Sequence, residues 1–286
     1  MPDRADNDQL ATLPPLRDTI GRHGLNARKS LGQHFLLDLN LTRRIAQAAG
    51  DLSTGTVIEI GPGPGGLTRS LLAEGARRLI TIERDARCIE ALAPLAQAAG
   101  GRLEIVEGDA AKIDCAALGT PPRRIVANLP YNISTVLLIR WLRDAAAFHS
   151  MTLMFQKEVA NRLIASPGTS AFGRLSVMAN WLCETRICLN LPARAFTPPP
   201  KVDSSVVQFS PRESPEPAIW EAMETVVAAA FGQRRKMLRS ALKTLKTDPL
   251  PLLAAAEIEP TARAETLTIG QFAALARAFS ARNAAP

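Results

Sequence analysis

The segment Asn128-Leu129-Pro130-Tyr131 holds the residue types needed to methylate an aromatic amine. An exocyclic adenine amine is a poor nucleophile because its lone pair is delocalised into the ring. It has no useful acidity near neutral pH, so a general base would gain little. An acceptor pair does more. The Asn128 side-chain oxygen and a backbone carbonyl at Leu129 or Pro130 can hold both amine protons and favour a pyramidal nitrogen. Pro130 adds no competing donor and fixes the direction of the chain. Tyr131, the single tyrosine of the chain, offers a face on which a base can stack. In-line displacement of a methyl group from a sulfonium then depends mainly on positioning.

Three further features point to a nucleoside-like ligand beside that strip. Glu59-Ile60-Gly61-Pro62-Gly63-Pro64-Gly65-Gly66 follows an expected strand and opens a helix at Leu67. Glycines there, Gly61 and Gly63 among them, let the backbone approach a ligand and make the strand-to-helix turn. Glu83 ends the next strand, where a carboxylate can accept hydrogen bonds from both ribose hydroxyls. Asp109 ends the third, where it can accept from an adenine amino group. Taken singly, each has a plainer reading: a turn, a solvated acid in a Glu83-Arg84-Asp85 cluster, a helix cap. Glu83 alone would suit a nicotinamide cofactor equally well. The Asn128–Tyr131 strip decides for methyl transfer over hydride transfer.

These residues need a scaffold that brings several strand ends together. Short apolar runs at Val57–Ile60, Leu79–Glu83, Leu103–Glu107, Arg124–Asn128 and Met151–Phe155 alternate with stretches long enough for crossover helices. That alternation implies an α/β architecture with a parallel sheet covered on both faces. Ile187–Leu191 and Ser205–Phe209, joined by the Pro-rich loop Pro192–Lys201, are expected as an antiparallel hairpin closing the sheet edge. The sheet is then mostly parallel and seven-stranded. Composition breaks at Pro211–Pro217, and everything beyond is expected to be helical. The expected organisation is an N-terminal extension over residues 1–25, mobile and broken by Pro14-Pro15, then a catalytic domain over 26–211 and a small all-α domain over 212–286.

Hydrophobic residues make up 47% and charged residues 21% of the 286, ordinary for a globular protein. The four cysteines are scattered without paired spacing, which argues against zinc and predicts no metal centre. No apolar run approaches the roughly 18–20 residues of a membrane-spanning helix. Met1–Gln9 carries three aspartates and no apolar stretch, unlike a secretory or mitochondrial leader, so a cytoplasmic location is expected. The formal charge of +7 leans toward a polyanionic partner. Its clearest concentration is Phe231–Lys246, with Arg234, Arg235, Lys236, Arg239, Lys243 and Lys246 and no acid. Leu238, Ala241, Leu242 and Leu245 at helical spacing predict one amphipathic helix there, its basic face gripping RNA phosphates.

Together these motifs resemble the ribosomal RNA adenine dimethyltransferases that act on the small subunit. The resemblance runs from Lys29 to about Leu245. It rests on Lys29-Ser30-Leu31-Gly32-Gln33-His34-Phe35-Leu36, Glu59–Thr68, Asn128–Thr135 and Phe196–Ser204 in that order. It implies a class I S-adenosylmethionine-dependent methyltransferase domain, Rossmann-like, with a C-terminal helical domain. It implies that Gln33, His34 and Leu36 close over the methionine end of S-adenosylmethionine, in a pocket completed by Gly61, Glu83, Asp109 and Asn128. Phe196 would stack on the target adenine opposite Tyr131. The implied reaction is N6,N6-dimethylation of two adjacent adenosines in a hairpin loop near the 3′ end of small-subunit ribosomal RNA, within a pre-ribosomal subunit and by a monomer. His34 stands where many members have Asn. A large-subunit adenine methyltransferase of the macrolide-resistance type, and a non-catalytic RNA-binding factor on this scaffold, are the alternatives. Leu129 and Phe196–Ser204 disfavour the first, and intact Asn128 and Tyr131 the second.

Overall fold

The structure, a computed structural model, describes residues 9–25, 27, 32–233 and 235–283. Nine strands are described: β1 (Phe35–Leu36), β2 (Thr56–Ile60), β3 (Leu79–Glu83), β4 (Leu103–Glu107), β5 (Arg123–Ala127), β6 (Ser150–Gln156), β7 (Cys183–Leu191), β8 (Phe196–Thr197) and β9 (Ser204–Pro211). Seven form one sheet in the order β4-β3-β2-β5-β6-β9-β7. β2 pairs in parallel with β3 on one side and β5 on the other, and β4 and β6 continue the parallel pairing outward. β9 then joins β6 antiparallel. All residues of β2 and β3 are buried, as strands covered by helices on both faces require. Val57, Ile58, Leu79 and Ile80 are at most 1% exposed. Burial of each such side chain contributes about 1.5–3 kcal/mol relative to exposure.

The chain leaves β2 toward β3 and later returns to β5 on the other side of β2. This reversal leaves a crevice at the carboxyl ends of β2 and β5, where open α/β sheets bind ligands. The register Ile60↔Ala127 places Gly61 and Asn128 at that edge, one residue beyond each strand. Glu83 ends β3 at the same level.

The chain divides into two compact units, Met1–Ala160 with Arg186–Pro211, and Asn161–Thr185 with Arg212–Pro286. One crossing falls at Pro211, where the composition changes. The other departs from the expected scheme, because residues 161–185 group with the second unit rather than with the catalytic domain. Aromatic packing accounts for this. Within the second unit, Trp181 lies 5.9 Å from Trp220, and Phe172 lies 6.1 Å from Phe231, which in turn stacks on Phe272 at 5.7 Å.

Two expectations need correction. Pro14-Pro15 does not break the N-terminal extension throughout. Pro15 immediately precedes helix α1 (Leu16–Arg22), a place where its fixed φ and missing N–H do no harm. Leu16 and Leu25 are buried at 4% and 2% exposure. Residues 1–8 of the extension lie outside the described residues.

The basic segment is not one helix. A helix over Trp220–Gly232 ends there, and Gln233 turns away from helical geometry. Only at Leu238–Ala241 does a short helix resume, tightening into a 3-10 turn at Leu242–Leu245. Leu238, Ala241 and Leu242 are fully buried, so the apolar stripe is used as expected. Arg235, Lys236, Arg239 and Lys243 are exposed, the first two on the connecting turn. Arg234 lies outside the described residues.

Candidate active site

One cavity of about 250 Å³ opens at the crevice. Its wall includes Gln33, His34 and Leu36, the glycine loop from Glu59 to Pro64 with Gly66, then Glu83, Asp109, and Asn128 through Tyr131. Every residue proposed from the sequence for the cofactor or the catalytic strip lines it, with the exception of Phe196. Lys29, Ser30 and Leu31 of the N-terminal motif lie outside the described residues.

The glycine loop is shaped by close approach. Gly61 has φ 66°, and a Cβ there would point into open space with no atom within 4 Å. Backbone is thus bare toward the cavity. At Gly66, a Cβ would come within 2.7 Å of the Leu36 carbonyl oxygen, so only glycine lets the β1 segment lie this close to the loop. The N–H groups of Gly63, Arg84 and Asp85 donate to Glu83 at 3.2, 2.8 and 2.9 Å. These bonds hold its carboxylate, 6% exposed, in place at the end of β3. Asp109 accepts from the Ala111 N–H at 3.0 Å, so it caps the following turn while also facing the cavity.

Glu59 is 1% exposed, and its Oε2 has no hydrogen-bond partner. Burial pushes its carboxyl up to about 8, and the Glu83 charge adds to the rise. An orphaned carboxyl oxygen in a cavity wall fits a ligand that brings a positive charge or donors. The bare backbone at Gly61 fits a ligand that lies against the loop. Both features suit S-adenosylmethionine, which combines a sulfonium, an ammonium group and a nucleoside.

The catalytic strip follows β5. The Asn128 amide nitrogen donates to the His34 carbonyl at 3.1 Å, which orients the amide and leaves Oδ1 as an acceptor. The Pro130 carbonyl accepts from the N–H groups of Ile133 and Ser134 at 3.1 Å each, in the first turn of helix α2 (Tyr131–Arg143). The Leu129 carbonyl therefore remains as the backbone acceptor of the strip. The Tyr131 hydroxyl bonds Ser204 Oγ at 2.5 Å, and burial raises its pKa. One face of its ring is covered by His34, with centroids 5.7 Å apart and planes 25° apart. The His34 Nδ1–H donates to the Pro198 carbonyl at 2.8 Å.

Phe196 departs from its expected place. It is 2% exposed and belongs to an apolar cluster with Leu36, Leu189, Leu191 and Val206. It pairs with Leu36 across an antiparallel two-residue ladder of β1 and β8. In this conformation it supports the cavity wall from behind. The sequence shows an aromatic residue beside a Pro-rich loop but not its burial.

In the sequence, Asp85 is only one of a cluster of charges expected to be solvated. It is 5% exposed and accepts from Gln33 Nε2 at 3.3 Å. It also pairs with Arg87 at 2.6 Å, and Arg87 Nη1 donates to the Gly24 carbonyl at 3.2 Å. The Arg87 hydrogen bonds chiefly hold its carboxyl below the usual range. Its alternation with Glu83 on an acidic strand end was the available signal.

Residues 24–280 match a family described as ribosomal RNA adenine dimethylase. A Rhodospirillum rubrum protein called ribosomal RNA small subunit methyltransferase A is 63% identical over 270 residues, covering 94% of this chain and 93% of that protein. A Paramagnetospirillum magneticum protein of the same name is 61% identical, covering 96% and 97%. Among solved structures, a dimethyladenosine transferase from Plasmodium falciparum superposes with a TM-score of 0.76 at 29% identity, covering 87% of this chain and 98% of that one. A 23S rRNA methyltransferase superposes at 0.64 with 26% identity, covering 86% and 99%.

Proposed function

The chain belongs to the ribosomal RNA adenine dimethylase family, and on that basis we propose how its own residues perform the reaction. It is an S-adenosylmethionine-dependent methyltransferase of small-subunit ribosomal RNA, forming N6,N6-dimethyladenosine. Relatives near 60% identity carry the small-subunit name, whereas the large-subunit enzyme stands at 26%.

S-adenosylmethionine, when bound, supplies a methyl group on a positively charged sulfur. Glu83, Asp109 and the Gly61–Gly63 backbone bind its nucleoside, while Gln33, His34 and Leu36 flank the other end. Asn128 Oδ1 and the Leu129 carbonyl accept the two protons of the adenine amine and direct its lone pair toward the methyl group. Tyr131 stacks the base on the face that His34 leaves uncovered. Leu129 and Pro130 line the cavity beside them and give the base an apolar surface. The proton released after transfer goes to solvent, since no base in the strip is placed to keep it. The observation that carries this reading is the Asn128 amide, whose nitrogen is committed to His34 and whose oxygen is thereby aimed as an acceptor.

Two adjacent adenosines of a hairpin loop near the 3′ end are the proposed targets, since unpaired bases can be splayed into such a cavity. We place the reaction in the cytoplasm, on a pre-ribosomal small subunit, by a monomer. Among the described residues, no helix is long and apolar enough to cross a membrane. The exposed Arg235, Lys236, Arg239 and Lys243 are proposed to contact phosphates, as is Arg234. Incubating the protein with tritiated S-adenosylmethionine and unmodified small subunits, then mapping labelled nucleosides, tests the reading. Label in dimethyladenosine of the small-subunit RNA is expected. Label in large-subunit RNA, or none, overturns it.

A further inference from the structure

Three exposed cations gather on the side of the catalytic strip marked by Ser204. Lys157 is the first residue past β6, and its N–H donates to the Asp203 carbonyl at 2.9 Å. The Asp203 carboxylate accepts from the Ala193 N–H at 2.9 Å, which brings Arg194 to the same place. Lys201 stands two residues before Asp203 on the same loop. Gln156, next to Lys157, pairs with Ser204, whose hydroxyl bonds Tyr131. Backbone hydrogen bonds and strand register thus tie Lys157, Arg194 and Lys201 to the residue that holds the catalytic tyrosine.

All three side chains are exposed, and among the described residues none forms an ion pair. Asp203, the acid at their centre, spends one oxygen on the Ala193 N–H. Glu158, the next residue after Lys157, has a partner of its own. Solvated surface cations are usually interleaved with acids. Here three stand close in the backbone against the single Asp203 carboxylate, which leaves an excess of positive charge beside the strand end that carries Ser204.

We propose that Lys157, Arg194 and Lys201 form a phosphate-binding rim that grips the RNA backbone on either side of the nucleotide entering the cavity. The proposal rests on the small-subunit RNA reading above and adds a binding surface to it. A base stacked on Tyr131 leaves its ribose and flanking phosphates outside the cavity, within reach of the exposed loop that carries Arg194 and Lys201. Cations there contribute affinity and position the nucleotide without reading its sequence. The rim belongs to the catalytic unit itself and is separate in sequence from the basic segment at 235–243.

The test uses the full chain and unmodified small subunits, with the triple variant Lys157→Gln, Arg194→Gln, Lys201→Gln and each single variant. Binding is measured as a function of salt, alongside KM, kcat and S-adenosylmethionine affinity. The triple variant is expected to flatten the slope of log K against log salt by about 2, from roughly 0.7 per lost contact to unpaired RNA. Its KM for subunits should rise at least tenfold, with kcat and cofactor affinity unchanged. Retained cofactor affinity also reports that the variant is folded, and the single variants carry the test if the triple does not fold. An unchanged salt slope and KM overturns the proposal, as does a fall in kcat alone. Wild-type protein that fails to methylate small subunits would instead overturn the functional reading beneath it.

Discussion

Glu59→Gln separates what a buried carboxyl costs the fold from what it contributes to the site. In the folded protein this group is pushed up to about 8, mainly by burial. In the unfolded chain it titrates at its ordinary value of 4.5. Between those values the folded state keeps a proton that the unfolded state has released. Stability therefore falls as pH rises through that window, by about 1.4 kcal/mol per pH unit for this one group. Over the whole window the loss is on the order of 5 kcal/mol, and none of it arises below the unfolded pKa. Glutamine cannot ionise, so the variant lacks this dependence while keeping every other titrating group.

Urea unfolding of both proteins, without cofactor, at about pH 5.5 and about pH 7.5 reads the difference. The stability gap should shift toward the glutamine variant by roughly 2–3 kcal/mol between the two conditions. Any fixed cost of burying an amide cancels in that comparison. The same residue links cofactor binding to protons. A positive ligand favours the ionised carboxyl, so binding to the wild type near neutral pH should release up to about one proton. Calorimetry in two buffers of different ionisation enthalpy measures that release, which should vanish in Glu59→Gln. A gap that does not change with pH, or equal proton release by both proteins, refutes the reasoning.

Three other outcomes follow from packing and hydrogen bonding. Phe196→Ala empties a filled site in the apolar cluster and should cost about 3–5 kcal/mol in denaturant melts; a loss below about 1 kcal/mol would mean that the ring is not packed there. Asp85→Ala releases Gln33 and Arg87 together and should raise the S-adenosylmethionine KM about tenfold, as loss of a charged hydrogen bond implies, with kcat retained. An unchanged KM would reduce Asp85 to a helix cap. Tyr131→Phe keeps the ring and loses only the Ser204 bond, so its transfer rate should stay within a few fold, while Tyr131→Ala should lose about 10–100-fold through lost stacking. Equal losses in the two variants would shift the role from the ring to the hydroxyl.

The parts of this architecture legible in the sequence are those with a period or a punctuation mark. Leu79–Glu83 and Leu103–Glu107 are apolar runs bounded by turns, and their limits in the structure are the expected ones. Gly61, Glu83, Asp109 and Asn128 each stand at a strand end, so their convergence on one cavity follows once the strands are parallel. What was not legible lacked a local signal. β1 and β8 are two residues each, too short to show alternation, and their pairing joins positions far apart in the chain. The basic segment has no composition break, but its apolar side chains are anchored from Leu238 onward, where a new short helix begins after the one that ends at Gly232. Residues 161–185 carry no marker of which unit they join, because that choice depends on Phe172 and Trp181 meeting partners beyond Pro211.

The small β1–β8 ladder explains why the two halves of the reaction site need not be assembled separately. β1 carries Leu36 and follows Gln33 and His34, all on the cavity wall. β8 carries Phe196 and leads into Pro198, whose carbonyl receives the His34 imidazole. Leu36 lies opposite Phe196 in register. His34 in turn covers one face of Tyr131 and, through its own carbonyl, orients Asn128. Displacing the Gln33–Leu36 segment would therefore unseat the Asn128 amide and expose the second face of Tyr131 at once. In the proposed mechanism, the methyl acceptor is thus aligned only when this part of the cavity wall is in place. The histidine at position 34 supplies both a stacking ring and the donor to Pro198. An asparagine there could donate a hydrogen bond but could not cover Tyr131, so in this chain the open face for a base is defined by residue 34 as much as by the tyrosine itself.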